Sequence, residues 1–338
     1  MRAAVDVMGG DKAPDEILAG CWQAAELLSP GDKVFLVGPK EVVDAALASA
    51  PLAPEHRDFY APVYATQIVA MDESPVEAVR GKPDSSIAVM SKLVAKGEAD
   101  VAISAGNTGA CVAAAQLRMR LLEGVSRPGI AVVLPTFHGP VVLCDAGANP
   151  EPKPQHMLQY GLMASAYARA VLGMSSPRVG LMSIGEEDSK GNAMTKAARQ
   201  LMRDEPQLNF VGNIEGKDIL KGVIDVCICD GFVGNIILKF MEGVTEGIFQ
   251  TLLTEVAEAD PELLLQLKPT MKKIHAKHDW QETGGAPLLG VGGICLICHG
   301  RSEAKAIKNA IRVGKQLHDA KINEKIVDQI SRAIKVEE

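Results

Sequence analysis

Asp225–Lys239 reads DVCICDGFVGNIILK, and the fold follows from how this stretch is parsed. The apolar run Val226-Cys227-Ile228-Cys229 has the length of a buried strand and is stopped by Asp230-Gly231. Beyond Gly234-Asn235, the apolar residues Ile236, Ile237, Phe240 and Met241 recur at helical spacing. The stretch therefore predicts a strand that ends in a glycine turn and feeds a helix. In an open α/β sheet, ligands bind outside the carboxyl ends of such strands, where exposed backbone N–H groups and a helix N-terminus can hold an anion.

The same grammar recurs along the chain. Ala4–Val7 runs into Met8-Gly9-Gly10-Asp11, and Val101–Ile103 into Ser104-Ala105-Gly106-Asn107-Thr108-Gly109. Val141–Cys144 runs into Asp145-Ala146-Gly147-Ala148-Asn149, and Val179–Met182 into Ile184-Gly185-Glu186-Glu187. Five strand ends carrying Asp, Asn and Gly suggest one shared cleft. Between them lie predicted helices at 14–28, 41–49, 85–96, 155–171 and 192–203, and further strands at 34–37, 130–134, 210–211 and 294–298. Gly284–Gly290 reads as a loop, and a final helix begins near Ser302. Strands alternating with helices predict an α/β fold: a mostly parallel sheet with helices on both faces.

Composition narrows the function. The 338 residues could make one large α/β domain or two lobes, and 47% hydrophobic residues supply a substantial core. A net charge of -7 argues against general nucleic-acid binding, and 4% aromatic residues against base-stacking platforms. The N-terminus lacks a secretory pattern and no run is apolar enough to span a bilayer, so a cytoplasmic protein is expected. The seven cysteines, mostly inside apolar runs, fit reduced thiols.

No Rossmann, Walker, nucleophile-elbow or zinc-protease motif is present. Cys295-Leu296-Ile297-Cys298-His299 matches the covalent-haem pattern, and Cys227 and Cys229 could join those cysteines around a metal. Small side chains in buried strands account for both patterns more simply. Gly247–Trp280 changes character from leucines (Leu252, Leu253, Leu263, Leu264, Leu265, Leu267) to Lys268, Lys272, Lys273, His275, Lys277 and His278. It reads either as an ordinary helical hairpin or as an amphipathic pair that touches an anionic surface. On the last helix, Arg301, Lys305, Lys308, Arg312 and Lys315 fall on one face, with Ala304, Ile307, Ile311 and Gly314 toward the core. That stripe is a solvated surface or a docking face for an acidic partner. The loop Glu186–Asn192 packs three acids around Lys190, as either a surface turn or a group that approaches a substrate oxygen.

Read together, AVDVMGGDKAP, MDESPVEAVRGKPDSS, SAGNTGA, DAGAN, IGEEDSKGN, NIEGKDI, CDGFVGNIILK and GGAPLLGVGGICLICHG span nearly the whole chain. In that order they resemble the phosphate acyltransferases of bacterial phospholipid synthesis, the PlsX family, which make acyl phosphate from acyl carrier protein thioesters and inorganic phosphate. Val7, the proline-rich Pro150-Glu151-Pro152 and Arg301 depart from the family pattern. The resemblance implies a three-layer α/β/α fold similar to phosphotransacetylases and isocitrate/isopropylmalate dehydrogenases. It implies a single domain over 1–338, a homodimer, and a projecting helical segment at 247–280 on the membrane-facing tip. No metal or organic cofactor is required.

On this reading phosphate attacks a thioester carbonyl, so the site must hold a multiply charged nucleophile and stabilise an oxyanion. Gly9, Gly10, Asp11, Asn107, Thr108, Gly109, Asp145 and Asn149 are the expected phosphate and substrate residues. Asn235, Asp230, Lys190 and His299 are the expected catalytic ones, with Lys190 offsetting charge and His299 donating to the carbonyl or the leaving thiol. A covalent acyl-lysine is less favourable, because an amide is far more stable than a thioester. The carrier protein would dock on Lys268, Lys272, Lys273 and Lys277 or on Arg301, Lys305, Lys308, Arg312 and Lys315. The implied setting is the inner face of the membrane, beside a downstream glycerol-phosphate acyltransferase. A phosphotransacetylase-like enzyme using acyl-CoA, a metal-dependent dehydrogenase on the related fold and a non-catalytic membrane scaffold are the alternatives.

Overall fold

Alternation of side chains along the strands decides the layering. The computed structural model describes residues 1–278 and 280–333, without the side chains of His275, Lys277, His278 and Trp280. Its strands are β1 (Arg2–Asp6), β2 (Lys33–Gly38), β3 (Tyr60–Tyr64), β4 (Val101–Ser104), β5 (Gly129–Thr136) and β6 (Gly139–Cys144). They continue as β7 (Arg178–Met182), β8 (Asn209–Ile214), β9 (Val226–Ile228), β10 (Ala286–Leu289) and β11 (Ile294–Ile297). Ala3, Val5, Ile103, Val142, Val226, Ile228 and Leu296 face one buried layer; Ala4, Ala102, Leu143, Cys227, Cys229, Cys295 and Ile297 face the other. Period-two alternation with both faces apolar is what a sheet sandwiched between helices requires. Helices Asp15–Gln23, Pro154–Val171, Ala193–Asp204 and Ala304–Asp319 fill the first layer, and Pro75–Gly81, Ser86–Ala95 and Thr108–Ala114 the second.

One sheet of eleven strands runs through the molecule in the order β3-β2-β1-β4-β11-β10-β5-β6-β9-β7-β8. β3, β2, β1, β4 and β11 pair in parallel, as do β6, β9, β7 and β8. The three central pairings, β11 with β10, β10 with β5 and β5 with β6, are antiparallel. An odd number of reversals separates the two parallel groups, so their carboxyl ends point opposite ways. The loop expected at 284–290 is corrected here: Ala286–Leu289 is a strand, because it lies between β5 and β11 and takes its partners from both.

The helix that follows β9 starts at Gly231 rather than after Asn235, and runs to Ala259. At 29 residues it is about 43 Å long. Val233, Ile237, Leu238 and Met241 pack on the core, while Phe240, Ile248 and Leu252 are exposed. Pro261–His278 returns as a second helix, with Leu263, Leu265 and Ile274 exposed beside Lys268, Lys272 and Lys273.

Asp32 ties the N-terminal strands to the helix Ala304–Asp319. Its carboxylate accepts from the Met1 ammonium at 2.6 Å, the Ser29 N–H at 2.8 Å and Lys315 Nζ at 2.9 Å. Burial alone would push the carboxyl pKa up; the three donors outweigh it and bring it down to about 2. The ordinary value is 3.8, so this stabilisation is complete above about pH 4 and is lost as pH falls toward 2. Asp32→Asn is expected to cost about 2 kcal/mol at neutral pH. It should also flatten the fall in urea-unfolding free energy over that acid range. Parallel curves for the two proteins would show that the carboxylate is not the source.

Candidate active site

Most of the polar strand-end residues turn inward and build the loops. Asp6, at the end of β1, accepts from Met8 N–H at 3.1 Å and from Ser104 Oγ at 2.8 Å, and Ser104 Oγ in turn accepts from Gly106 N–H at 3.0 Å. Burial pushes the Asp6 carboxyl up against these donors. A Cβ on Gly9 would stand 2.7 Å from both Asp6 Oδ2 and Gly106 N, so glycine is what lets the two turns meet. Asp11 N–H donates to Gly300 O at 2.8 Å, which brings the turn after β1 against the one after β11.

Asn107 caps the helix Thr108–Ala114 by accepting from Ala110 N–H at 3.0 Å. Its amide donates to Met71 O at 3.1 Å and Glu73 O at 3.0 Å, bracing that helix against the preceding loop. Gly109 faces Pro75. Both are spent on structure, and Thr108, exposed between them, faces the cavity described below.

The turn after β6 is organised around the fully buried Asp145. Its carboxylate accepts four backbone N–H bonds, from Ile130 at 2.9 Å, Gly147 at 3.1 Å, Ala148 at 3.0 Å and Asn149 at 2.7 Å. Burial pushes its pKa up, and those donors pull against it. Asn149 donates to Pro128 O at 2.6 Å and to Tyr160 Oη at 2.8 Å. Asp230 caps the long helix through Val233 N–H at 2.9 Å, and Gly231 N–H donates to Asn149 O at 2.8 Å. These residues press the helix N-terminus onto the loop and fix where Asn235 stands.

Thr108, Ala146, Asn235, Lys239, Glu242 and His299 line one cavity over the middle of the sheet, floored by β5. Thr108 and His299 come from one parallel group, Ala146 and Asn235 from the other. His299 accepts the Arg301 backbone N–H on Nδ1 at 3.1 Å, which leaves the ring proton on Nε2. Nε2 stands 4.0 Å from Glu242 Oε2, and Glu242 pairs with Lys239 at 2.9 Å. Burial, then the charge of Lys239, lowers the His299 pKa, so the ring is neutral at pH 7. Sequence reasoning missed Lys239 and Glu242. They lie one and two turns beyond Asn235 on the same helix face, a spacing that could have marked them.

Other expected residues lie elsewhere. Gly10 and Asp11 lie against Gly300, next to His299 in sequence, and Gly9 lies against Asp6 and Gly106. Lys190 is exposed on the loop after β7, two strands beyond β6, and does not line the cavity. In the basic stripe, Lys305 pairs with Glu282 at 2.6 Å, Lys308 with Glu26 at 4.0 Å and Lys315 with Asp32 at 2.9 Å. Arg312 donates to Glu282 O at 3.0 Å, so most of the stripe's charge is engaged within the chain. Lys268, Lys272 and Lys273 are exposed, and Lys277 lies outside the described side chains. Cys295 and Cys298 pack into opposite core layers, so the haem-like spacing does not present both thiols to one ligand. Among the described residues, Glu186, Glu215 and Asp218 have cation-holding spacing, but the Lys217 ammonium already bonds Glu215 and lies 3.7 Å from Glu186.

The comparisons agree with this architecture. A family model described as "Fatty acid synthesis protein" matches residues 1–325. A phosphate acyltransferase of Desulfitobacterium hafniense is 45% identical over 335 residues, covering 98% of each chain. A phosphotransacetylase from Streptococcus pyogenes superposes with a TM-score of 0.62 at 16% identity, covering 94% of each chain. A 4-hydroxythreonine-4-phosphate dehydrogenase from Klebsiella pneumoniae gives a TM-score of 0.51 at 13% identity over 94% of this chain and 97% of that one. Both structures share the fold, as expected for phosphotransacetylase-like and dehydrogenase-like α/β/α sheets. With near-complete coverage by the family model and by a relative of this identity, the chain belongs to the fatty acid synthesis protein family.

Proposed function

We propose that this protein is a phosphate acyltransferase that moves a long-chain acyl group from acyl carrier protein to inorganic phosphate. A phosphate oxygen attacks the thioester carbonyl, the carbon–sulfur bond breaks, and the carrier thiolate leaves and takes up a proton. The products are acyl phosphate and free carrier protein, which feed phospholipid synthesis. The observation that carries this reading is the cavity where Thr108, Asn235 and Lys239 face the neutral His299. Thr108, Asn235 and Lys239 supply donors for phosphate, and the Nε2–H of His299 is the donor for the carbonyl oxygen. Asn107, Asp145, Asn149 and Asp230 position these groups through the bonds described above, and Gly9 and Gly10 through the close approach of their turn to those after β4 and β11. The role proposed for Lys190, offsetting charge as it develops, requires its side chain to reach inward from the end of β7. No metal or organic cofactor enters this scheme.

The surroundings extend the proposal. The exposed apolar residues along 232–274 suit a homodimer contact or the inner face of a membrane. Among the described residues no helix is long and apolar enough to cross one. The exposed Lys268, Lys272 and Lys273 are better placed than the ion-paired stripe to attract an acidic carrier protein. Contact with a downstream glycerol-phosphate acyltransferase belongs to the same proposal.

The test is formation of acyl phosphate, trapped with hydroxylamine, from phosphate and hexadecanoyl carrier protein. Turnover from this donor, well above that from acetyl-CoA, is the expected result. Turnover from acetyl-CoA alone would favour a phosphotransacetylase-like enzyme, and none from either would leave a non-catalytic scaffold. Lys190→Ala is run alongside, and an unchanged kcat/KM removes Lys190 from the scheme.

A further inference from the structure

A second cavity, of about 380 Å³, opens beside the first. The two share Val132, Val133, Leu238 and Glu242 in their linings, so they adjoin along the helix and β5. The second departs from the catalytic end between β5, which supplies Leu134 and Pro135, and the long helix, which supplies Met241 and Thr245. Leu238, Met241, Thr245, Ile248 and Leu252 follow one another at steps of three and four, which puts them on one helix face. The first three line the cavity, while Ile248 and Leu252 are exposed farther along the same face. Lys12 and Glu303, paired to each other, stand at the rim with Arg301. The exposed Lys12, Glu246, Arg301 and Glu303 put charge at the mouth, and farther in an aliphatic strip of Val132, Val133, Leu134, Pro135, Leu238 and Met241 runs beside Glu242, Thr245 and Gln281.

We propose that this space holds the hydrocarbon chain of the acyl donor, running from the carbonyl at His299 along Leu238, Met241 and Thr245, and that Met241 sets the accepted chain length. The inference rests on the acyl-transfer reading above. A strand on one side and a helix on the other make a groove that suits an extended alkyl chain, and it adjoins the cavity where the thioester carbonyl would sit. Met241 is half-buried and projects from the helix partway along the path, so its volume decides how far a chain can run.

The test has two parts. In the first, kcat/KM is measured with octanoyl and hexadecanoyl carrier protein for the parent, Met241→Trp and the volume-conserving Met241→Leu. Each methylene withdrawn from an apolar wall costs about fourfold. An indole that displaces two or more methylenes should lower the hexadecanoyl-to-octanoyl ratio by about tenfold or more, while Met241→Leu keeps the parent ratio. An unchanged ratio in Met241→Trp overturns the proposal. In the second part, the unsubstituted protein is photolabelled with hexadecanoic acid carrying a terminal diazirine, and the labelled peptide is identified by mass spectrometry. Labelling within 238–252 supports the channel, and labelling confined to other segments overturns it. Because the second readout needs no turnover, labelling here by a parent that forms no acyl phosphate would sink the proposed reaction and keep the channel.

Discussion

Gly234→Ala is expected to destabilise the protein by more than the roughly 1–3 kcal/mol that overpacking usually costs, and to abolish turnover with it. A Cβ at this position would lie 1.9 Å from the Asp145 carbonyl oxygen. That oxygen cannot move aside, because the Asp145 carboxylate is held by the four backbone N–H groups of its own turn and of β5. The helix would have to lift off the loop, and Asn235, Lys239 and Glu242 would leave the cavity with it. Gly243→Ala, on the same helix, meets nothing within 4 Å. There the alanine should be neutral or stabilise by about 0.5–1 kcal/mol through helix propensity. Urea-unfolding midpoints of the two variants separate the effects, and equal midpoints would mean that close approach at Gly234 is not what demands glycine.

Removing the ring of His299 should be the most damaging single change to the chemistry. His299→Ala is expected to lower kcat by about 10²–10³-fold, the usual loss when one oxyanion donor is deleted, with a much smaller effect on the KM for phosphate. The bond from Arg301 N–H fixes the useful proton on Nε2. His299→Gln, whose amide nitrogen can stand near that position, should therefore recover part of the rate, and His299→Asn should not. The lowered pKa makes a second check: burial beside Lys239 keeps the ring neutral, so an NMR titration should place its midpoint below the ordinary 6.5. Equal rates for Ala, Asn and Gln variants would argue that the ring acts through packing alone.

Much of the fold was legible because both faces of the sheet are buried. Val226-Cys227-Ile228-Cys229 shows why: its residues alternate between two apolar layers, so the run reads as continuous and the cysteines are small fillers of one layer. The two strands that escaped notice break that pattern for physical reasons. β3 carries Pro62 and sits at the edge of the sheet, where a missing N–H is tolerated. β10 is framed by Gly284, Gly285 and Gly290 and contains Pro287, so its composition says loop; only its neighbours make it a strand.

The lining of the cavity was legible in part. Aspartate, asparagine and glycine at strand ends marked loops that border it, but side-chain type does not tell whether a polar group faces that space or backbone. Asp145 and Asn107 face backbone, whereas Thr108 and Asn235 face the cavity. A single cleft for all five strand ends left strand order out of account: β7 runs parallel to β6 and β9 but lies beyond β9, two places from β6, and that leaves Lys190 off the cavity. Lys239 and Glu242 were invisible because a lysine and a glutamate three apart on a helix look like any solvated pair until the opposite wall is known.

The position of β10 and β11 bears on how the chain comes off the ribosome. Both are encoded after residue 285, yet they sit between β4 and β5, like the last stones set into an arch. Until that hairpin emerges, two half-sheets hang on one polypeptide, each with an apolar margin whose N–H and C=O groups have no neighbour. Nascent chains stalled short of this point should be the ones that chaperones hold, and loss of the final fifty or so residues should shed the whole catalytic assembly rather than trim it.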